Sequence, residues 1–167
     1  MTRPDMRVVP ALRRAVLCAV ALVALAATGA RASGEPIGQS DFQRKVLDND
    51  YVWIVEYMSS RCGTCREMAP VWQAFFVKHM REVKVGQVSI DHEDGMELAE
   101  DQGVLEAGVP SVWAYDRADG EGTKIWAEFE VPTLDELERL VFGRFEGQRK
   151  TEDGFLAKTI LEEETFE

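Results

Sequence analysis

Cationic residues are scarce in this sequence. Its 167 residues hold 19 Lys and Arg against 30 Asp and Glu, a formal net charge of −11. Nucleic-acid binders need a basic surface to neutralise phosphates, so this balance excludes that class. Histidine is nearly absent: His79 and His92 are the two present. Three cysteines are too few for a disulfide-dense scaffold. The single asparagine, Asn49, is followed by Asp50 and Tyr51, which excludes N-glycosylation. The longest uncharged stretch, Ala15–Ala30, has sixteen residues, short of the roughly 20 that a spanning helix needs. No internal repeat is visible. What remains is a globular composition, 46% hydrophobic and 29% charged, long enough for one domain.

The uncharged stretch follows Arg3, Arg7, Arg13 and Arg14, and precedes Ala30-Arg31-Ala32. Basic, apolar, then small is the order of a secretory signal peptide. Residues 1–32 are therefore expected to be cleaved after Ala32 and to leave no membrane span. The expected destination is the secretory pathway, either the endoplasmic reticulum lumen or the exterior, with a bacterial periplasm as the alternative. Cleavage removes five bases, one acid and Cys18, leaving 135 residues with 14 bases, 29 acids and two cysteines.

Ser33–Gly38 reads as a linker, and Ser40 as the N-cap of a helix from Asp41 to Leu47. Tyr51–Tyr57 is apolar almost throughout, as in a central strand covered on both faces. A helix over Cys62–Met80 follows, with Met68, Val71, Trp72, Phe75, Phe76 and Met80 on its buried face and a kink at Pro70. Val83–Ile90 reads as a second buried strand, Gly95–Gln102 as a short helix, and Pro110–Tyr115 and Thr123–Val131 as a hairpin. Trp113, Trp126 and Phe129 are expected in the core. Thr133 opens a last helix with Glu136 completing a capping box, and Leu134, Leu137, Leu140 and Val141 form its stripe. Residues 146–167 carry seven acids against three bases and read as an acidic tail or a loosely packed helix. The order predicts an α/β sandwich with a central mixed sheet flanked by helices.

Chemistry concentrates at Cys62-Gly63-Thr64-Cys65, where a strand hands over to a helix. The free N–H groups and partial positive charge of a helix N-terminus favour a thiolate at Cys62, and Arg61 adds a formal cation. Cys65 lies one turn further in, able to reach Cys62 and less exposed. In such a pair Cys62 attacks a substrate disulfide and Cys65 resolves the mixed disulfide. Two other uses compete. A zinc site needs four ligands, and His79 and His92 stand at no finger spacing. A structural disulfide closing so small a loop stabilises little. The residues favour redox chemistry.

The stretch Trp53 to Pro70, with its Cys62-Gly63-Thr64-Cys65 core, resembles the active-site segment of the thioredoxin superfamily, most of all the catalytic domains of protein disulfide isomerases. The likeness extends through Val88-Ser89-Ile90-Asp91 and Gly108-Val109-Pro110-Ser111, over about residues 35–145. It implies a thioredoxin-like three-layer fold over 33–145 and a thiol–disulfide oxidoreductase acting on protein dithiols and disulfides. The redox-active Cys62–Cys65 disulfide then serves without a metal or organic cofactor, and the protein is expected to be a monomer. By the same resemblance Pro70 is the proline of the active-site helix and Pro110 the cis-proline. Val109 offers backbone groups to an extended substrate, and Glu56 is the buried acid that exchanges a proton with Cys65. Arg61 is placed with Val109 and Pro110 among the substrate-facing residues.

The departures carry information too. Arg61 stands where a tryptophan is usual, Met58 where an aromatic is usual, and Gly63-Thr64 replaces the more familiar pairs. Gln87 occupies the place of a lysine beside the buried acid, which should make Glu56 harder to ionise. An intermediate reduction potential follows. Two rivals stand beside the enzyme: a non-catalytic binding or chaperone module of the same fold, and a dedicated reductase for one partner. His79 is expected at the surface, and Asp91-His92-Glu93-Asp94 as a solvated turn.

Overall fold

The computed structural model describes residues 33–117 and 119–159; the expected leader lies outside them. Five strands form one sheet in the order β1-β3-β2-β4-β5. They are β1 (Glu35–Pro36), β2 (Trp53–Met58), β3 (Lys84–Ser89), β4 (Ser111–Tyr115) and β5 (Thr123–Trp126). β1 and β2 pair parallel with β3, whereas β4 pairs antiparallel with both β2 and β5. The helices are α1 (Gln39–Phe42, continued by a π-helical turn over Gln43–Leu47), α2 (Gly63–His79), α3 (Glu93–Asp101), α4 (Val104–Ala107) and α5 (Leu134–Arg144). The mixed α/β sandwich expected from the sequence is thus the observed architecture. Among the described residues no helix is long and apolar enough to cross a membrane.

Two apolar layers sandwich the sheet. On one side Ile54, Val85, Val112 and Ala114 pack with Met68, Trp72 and Phe75 of α2 and with Leu137 and Val141 of α5. On the other, Trp53, Val55, Tyr57 and Val88 pack with Phe42, Val46, Leu98 and Val104. Side chains alternate along a strand, so both faces of β2 are buried, as its continuous apolar run implies. The start of α3 presses on the sheet at Gly95, where a Cβ would stand 2.1 Å from the Ser89 carbonyl oxygen.

Several expected boundaries and burials differ. Ser33–Gly38 contains the edge strand β1, and Ile37 is buried. The N-cap of α1 is Gly38, because Ser40 is engaged elsewhere: its N–H and hydroxyl both donate to the Asp94 carboxylate. α2 starts at Gly63, one residue after the expected start, with Cys62 as its N-cap and Pro70 inside it. His79, expected at the surface, is only 7% exposed. It continues the row Met68, Trp72, Phe75 at helical spacing, whereas Met80 rotates outward to 46% exposure. The His79 ring is held by carboxylates on both nitrogens, Glu138 at 2.9 Å and Glu82 at 3.2 Å. β5 ends at Trp126, so strand alternation stops and Phe129 is fully exposed rather than in the core. Trp113 is partly buried and Leu140 largely exposed.

The segment expected to be an acidic tail packs against the domain over its first part. Leu156 and Ala157 are buried. Val52 N–H donates to the Leu156 carbonyl at 2.9 Å, and Leu156 N–H to the Glu82 carbonyl at 2.8 Å. This stretch therefore crosses the chain just before β2 and β3 begin. Lys158 is buried too, and its ammonium donates to the Val46 and Leu47 carbonyls at 2.6 and 2.9 Å at the end of the first helical segment. Burial lowers its pKa. The run Phe155-Leu156-Ala157 was the sequence signal for this packing, overshadowed by the acids around it. Leu156→Ala is expected to cost about 2–5 kcal/mol in urea unfolding, as for other buried leucines; a loosely attached tail would leave the midpoint unchanged.

Candidate functional site

The site gathers at one end of β2. Since β2 and β3 are parallel, with Met58 opposite Ser89, their C-terminal ends coincide. Since β4 is antiparallel to β2, with Tyr57 opposite Ser111, the residues leading into β4 arrive at the same edge. The loop carrying Cys62, the turn carrying Asp91 and the Val109–Pro110 pair are thereby neighbours.

Cys62 is the N-cap of α2, in extended conformation at φ −82° and ψ 130°. Its sulfur accepts a hydrogen bond from Cys65 N–H at 3.1 Å, one of the donors that a helix start leaves unpaired. The same Sγ lies 3.6 Å from the Val109 carbonyl oxygen. Cys62 is half-buried, whereas Cys65 is only 2% exposed; both are free thiols. The Val109–Pro110 peptide is cis. Gly108 before it adopts φ +81° and ψ −176°, a backbone region essentially confined to glycine.

Glu56 shares a strand face with Ile54 and therefore projects toward α2. It is 1% exposed. Its register partner on β3 is Gln87, whose side-chain amide donates to Glu56 Oε2 at 2.6 Å. Ser33 Oγ in turn donates to Gln87 Oε1 at 3.1 Å, which orients the amide. Burial raises the Glu56 pKa to about 7, and the Gln87 hydrogen bond only partly opposes that rise. A neutral amide supplies a dipole where a cation would supply a charge, so desolvation prevails. Burial also pushes the Cys65 thiol up to about 12, helped by its hydrogen bond with Cys62 and by the Glu56 charge.

Asp91 emerges as a further site residue. Its carboxylate accepts from Ser59 Oγ at 2.5 Å and from Ser60 N–H at 2.7 Å, and lies 3.6 Å from Arg61 Nε. These donors hold its pKa well below the usual carboxylate range. Ser59 also bonds the loop internally, its hydroxyl accepting from Arg61 N–H and its carbonyl from Cys62 N–H. Reading Asp91 as part of a solvated turn missed this. The available signal was its place just past the carboxyl end of a strand parallel to β2, where ligand-facing loops of α/β sheets collect. His92 and Glu93 are exposed, and among the described residues no three His, Cys, Asp or Glu side chains form a metal-binding group.

Against known proteins, the Thioredoxin family model matches residues 35–125. The chain belongs to the thioredoxin family. Protein disulfide isomerase-like 2-3 of Oryza sativa subsp. japonica is 28% identical over 156 residues, covering 87% of this chain and 34% of that protein. Protein disulfide isomerase-like 5-1 of the same organism is 31% identical over 87 residues, 50% of this chain and 59% of that one. Human protein disulfide-isomerase A6 is 36% identical over 52 residues, 31% of this chain and 12% of that protein. The chain thus spans less than two thirds of each of these relatives. Among solved structures, the J-Trx1 fragment of ERdj5 superposes with a TM-score of 0.56 at 18% identity, over 68% of this chain and 50% of that one. This likeness supports the thioredoxin fold.

The raised Glu56 pKa ties this thioredoxin-family site to folding. An unfolded Glu titrates near 4.5 and the folded one near 7. Between those values the unfolded chain has released its proton and the folded chain retains it, so stability falls as pH rises. The fall amounts to about 3 kcal/mol and levels off above pH 7. Glu56→Gln is expected to flatten this slope in urea unfolding between pH 4.5 and 7. An equally steep profile in the variant would assign the slope to another group.

Proposed function

We propose that this chain is a thiol–disulfide oxidoreductase of the protein disulfide isomerase type, acting on protein dithiols and disulfides. The observation that carries the proposal is the asymmetry of the pair. Cys62 sits half-exposed at a helix start with an N–H aimed at its sulfur, and Cys65 lies buried near a carboxyl poised at neutral pH. In the reductive direction the Cys62 thiolate attacks one sulfur of a client disulfide. A Cys62–client bond forms, and the client's other sulfur leaves as a thiolate that takes up a proton. Cys65 then gives its proton to the Glu56 carboxylate and attacks Cys62 Sγ; the Cys62–client bond breaks, and the client sulfur leaves as a thiolate that takes up a proton. The products are the Cys62–Cys65 disulfide and a client dithiol, with two electrons passed to the client. Oxidation of a client is the reverse.

The roles divide by position. Cys62 is the nucleophile, Cys65 resolves, and Glu56 takes and returns the proton. The Val109 backbone, next to the reactive sulfur, pairs with an extended client segment, Pro110 shapes that groove, and Arg61 faces the client. The cysteine pair supplies both electrons, so the scheme uses no metal or organic cofactor. The basic, apolar, small order of residues 1–32 supports delivery to the endoplasmic reticulum lumen, the exterior or a bacterial periplasm, where disulfide exchange is in demand.

Wild-type protein is expected to catalyse insulin disulfide reduction by dithiothreitol, and Cys62→Ser to fall to the uncatalysed rate. Equal rates in both would favour the non-catalytic binding module. Cys65→Ala should retain clients as mixed disulfides on non-reducing gels, one band indicating a dedicated reductase and many a general catalyst. Glu56→Gln should slow the resolving step by about 10²-fold. A reduction potential near −270 mV would mark a reductase, and one near −180 mV an oxidant or isomerase.

A further inference from the structure

Acids dominate this chain, yet two arginines stand close in sequence on either side of its half-exposed thiol, Arg61 before it and Arg66 in the first turns of α2. Arg61 immediately precedes Cys62, and its side chain is 81% exposed. Asp91 approaches it at Nε, 3.6 Å away, and Asp91 is itself anchored by Ser59 and Ser60. Among the described residues no other carboxylate lies within 4.0 Å of the Arg61 guanidinium. That nearest approach is longer than a hydrogen bond, so the fork that grips a carboxylate bidentately makes no hydrogen bond to a carboxylate among those residues. Arg66 is the second cation. Its Nη1 donates to the Ser60 carbonyl at 3.2 Å, and its Nη2 lies 3.9 Å from where a Cβ on Gly63 would stand. The Arg66 side chain thus folds back over the residue that follows Cys62.

We propose that Arg61, oriented by Asp91 and assisted by Arg66, selects client cysteines that have an aspartate or glutamate as an immediate neighbour. The inference rests on the oxidoreductase reading and names its preferred substrate class. A client sulfur must come within about 2 Å of Cys62 Sγ to form the mixed disulfide. Residues on either side of the client cysteine are then about 3.8 Å away from it along the chain, within the span of an arginine adjacent to Cys62. The net acidity of the whole chain opposes such clients at long range. That field is screened beyond about 10 Å at 0.1 M salt, so contact charges decide between clients of equal net charge.

The test uses two disulfide-linked peptides of identical composition and net charge. One has Asp beside its cysteine, and the other has that Asp four residues away with Ala beside the cysteine. Pre-reduced protein in excess, at 0.1 M salt, transfers two electrons per peptide disulfide in a single turnover. The neutral 4,4′-dithiodipyridine serves as a reference for thiol reactivity. Wild type is expected to reduce the first peptide about two- to five-fold faster, the range of one exposed ion pair. Arg61→Gln is expected to bring the ratio close to one, with Arg66 supplying only the small remainder, and Arg61→Lys to keep more of it. A fold or reactivity defect alone would slow both peptides and the reference together and leave the ratio unchanged. Equal rates on both peptides in wild type would overturn the selection and leave the oxidoreductase reading standing. A ratio undiminished in Arg61→Gln would overturn the assignment to Arg61. Failure to reduce either peptide or the reference would overturn both.

Discussion

Strand β2 has no solvated side. Neighbouring strands use its backbone on both edges, and helical layers cover both its faces. Any side chain on it except the last must be accommodated in a dry interior, and one of those side chains is Glu56. The buried carboxyl that distinguishes this site follows from that constraint. The same strand also sets the site's location. Its parallel pairing with β3 and antiparallel pairing with β4 bring the Cys62 loop, Asp91 and the Val109–Pro110 pair to one edge of the sheet, although they are far apart in sequence.

The electrostatics of the site then divide between inside and outside. Inside, burial raises the pKa of both Glu56 and Cys65, and Gln87 partly opposes the rise at Glu56 through one hydrogen bond. Outside, the Cys65 N–H donates to the Cys62 sulfur, and a chain of contacts from Asp91 through Ser59 and Ser60 holds the loop before it. The proposed exchange assigns its successive steps to this half-exposed sulfur and to the buried one.

The opposite end of the sheet is closed by a segment whose composition suggested a solvated tail. Acids between Glu146 and Glu167 dominate its average, but three consecutive small or apolar residues, Phe155-Leu156-Ala157, do the packing. Buried Lys158 shows the same contrast: its ammonium satisfies carbonyls at the end of a helical segment, a pairing that needs two parts of the chain to meet. His79 is a third case. Helical spacing from Phe75 put it on the buried row, and carboxylates from the turn after α2 and from α5 satisfy its ring.

Local sequence carried the elements with strong periodicity: the apolar run of β2, the amphipathic α2 with cysteines at its start, and the Thr133–Glu136 capping box, observed as expected. These are decided within a few residues of backbone geometry and side-chain spacing. The resemblance to the thioredoxin superfamily placed Gln87 beside Glu56, and the strand register and a hydrogen bond bring the two together. Tertiary structure alone decided which polar residues found partners across the chain. Asp91 on Ser59 and Ser60, Asp94 on Ser40, His79 on Glu138 and Lys158 on the Val46 and Leu47 carbonyls are all contacts between segments. A polar side chain reads as solvated until its partner is known, because burial is favourable only when the hydrogen bonds lost to water are replaced.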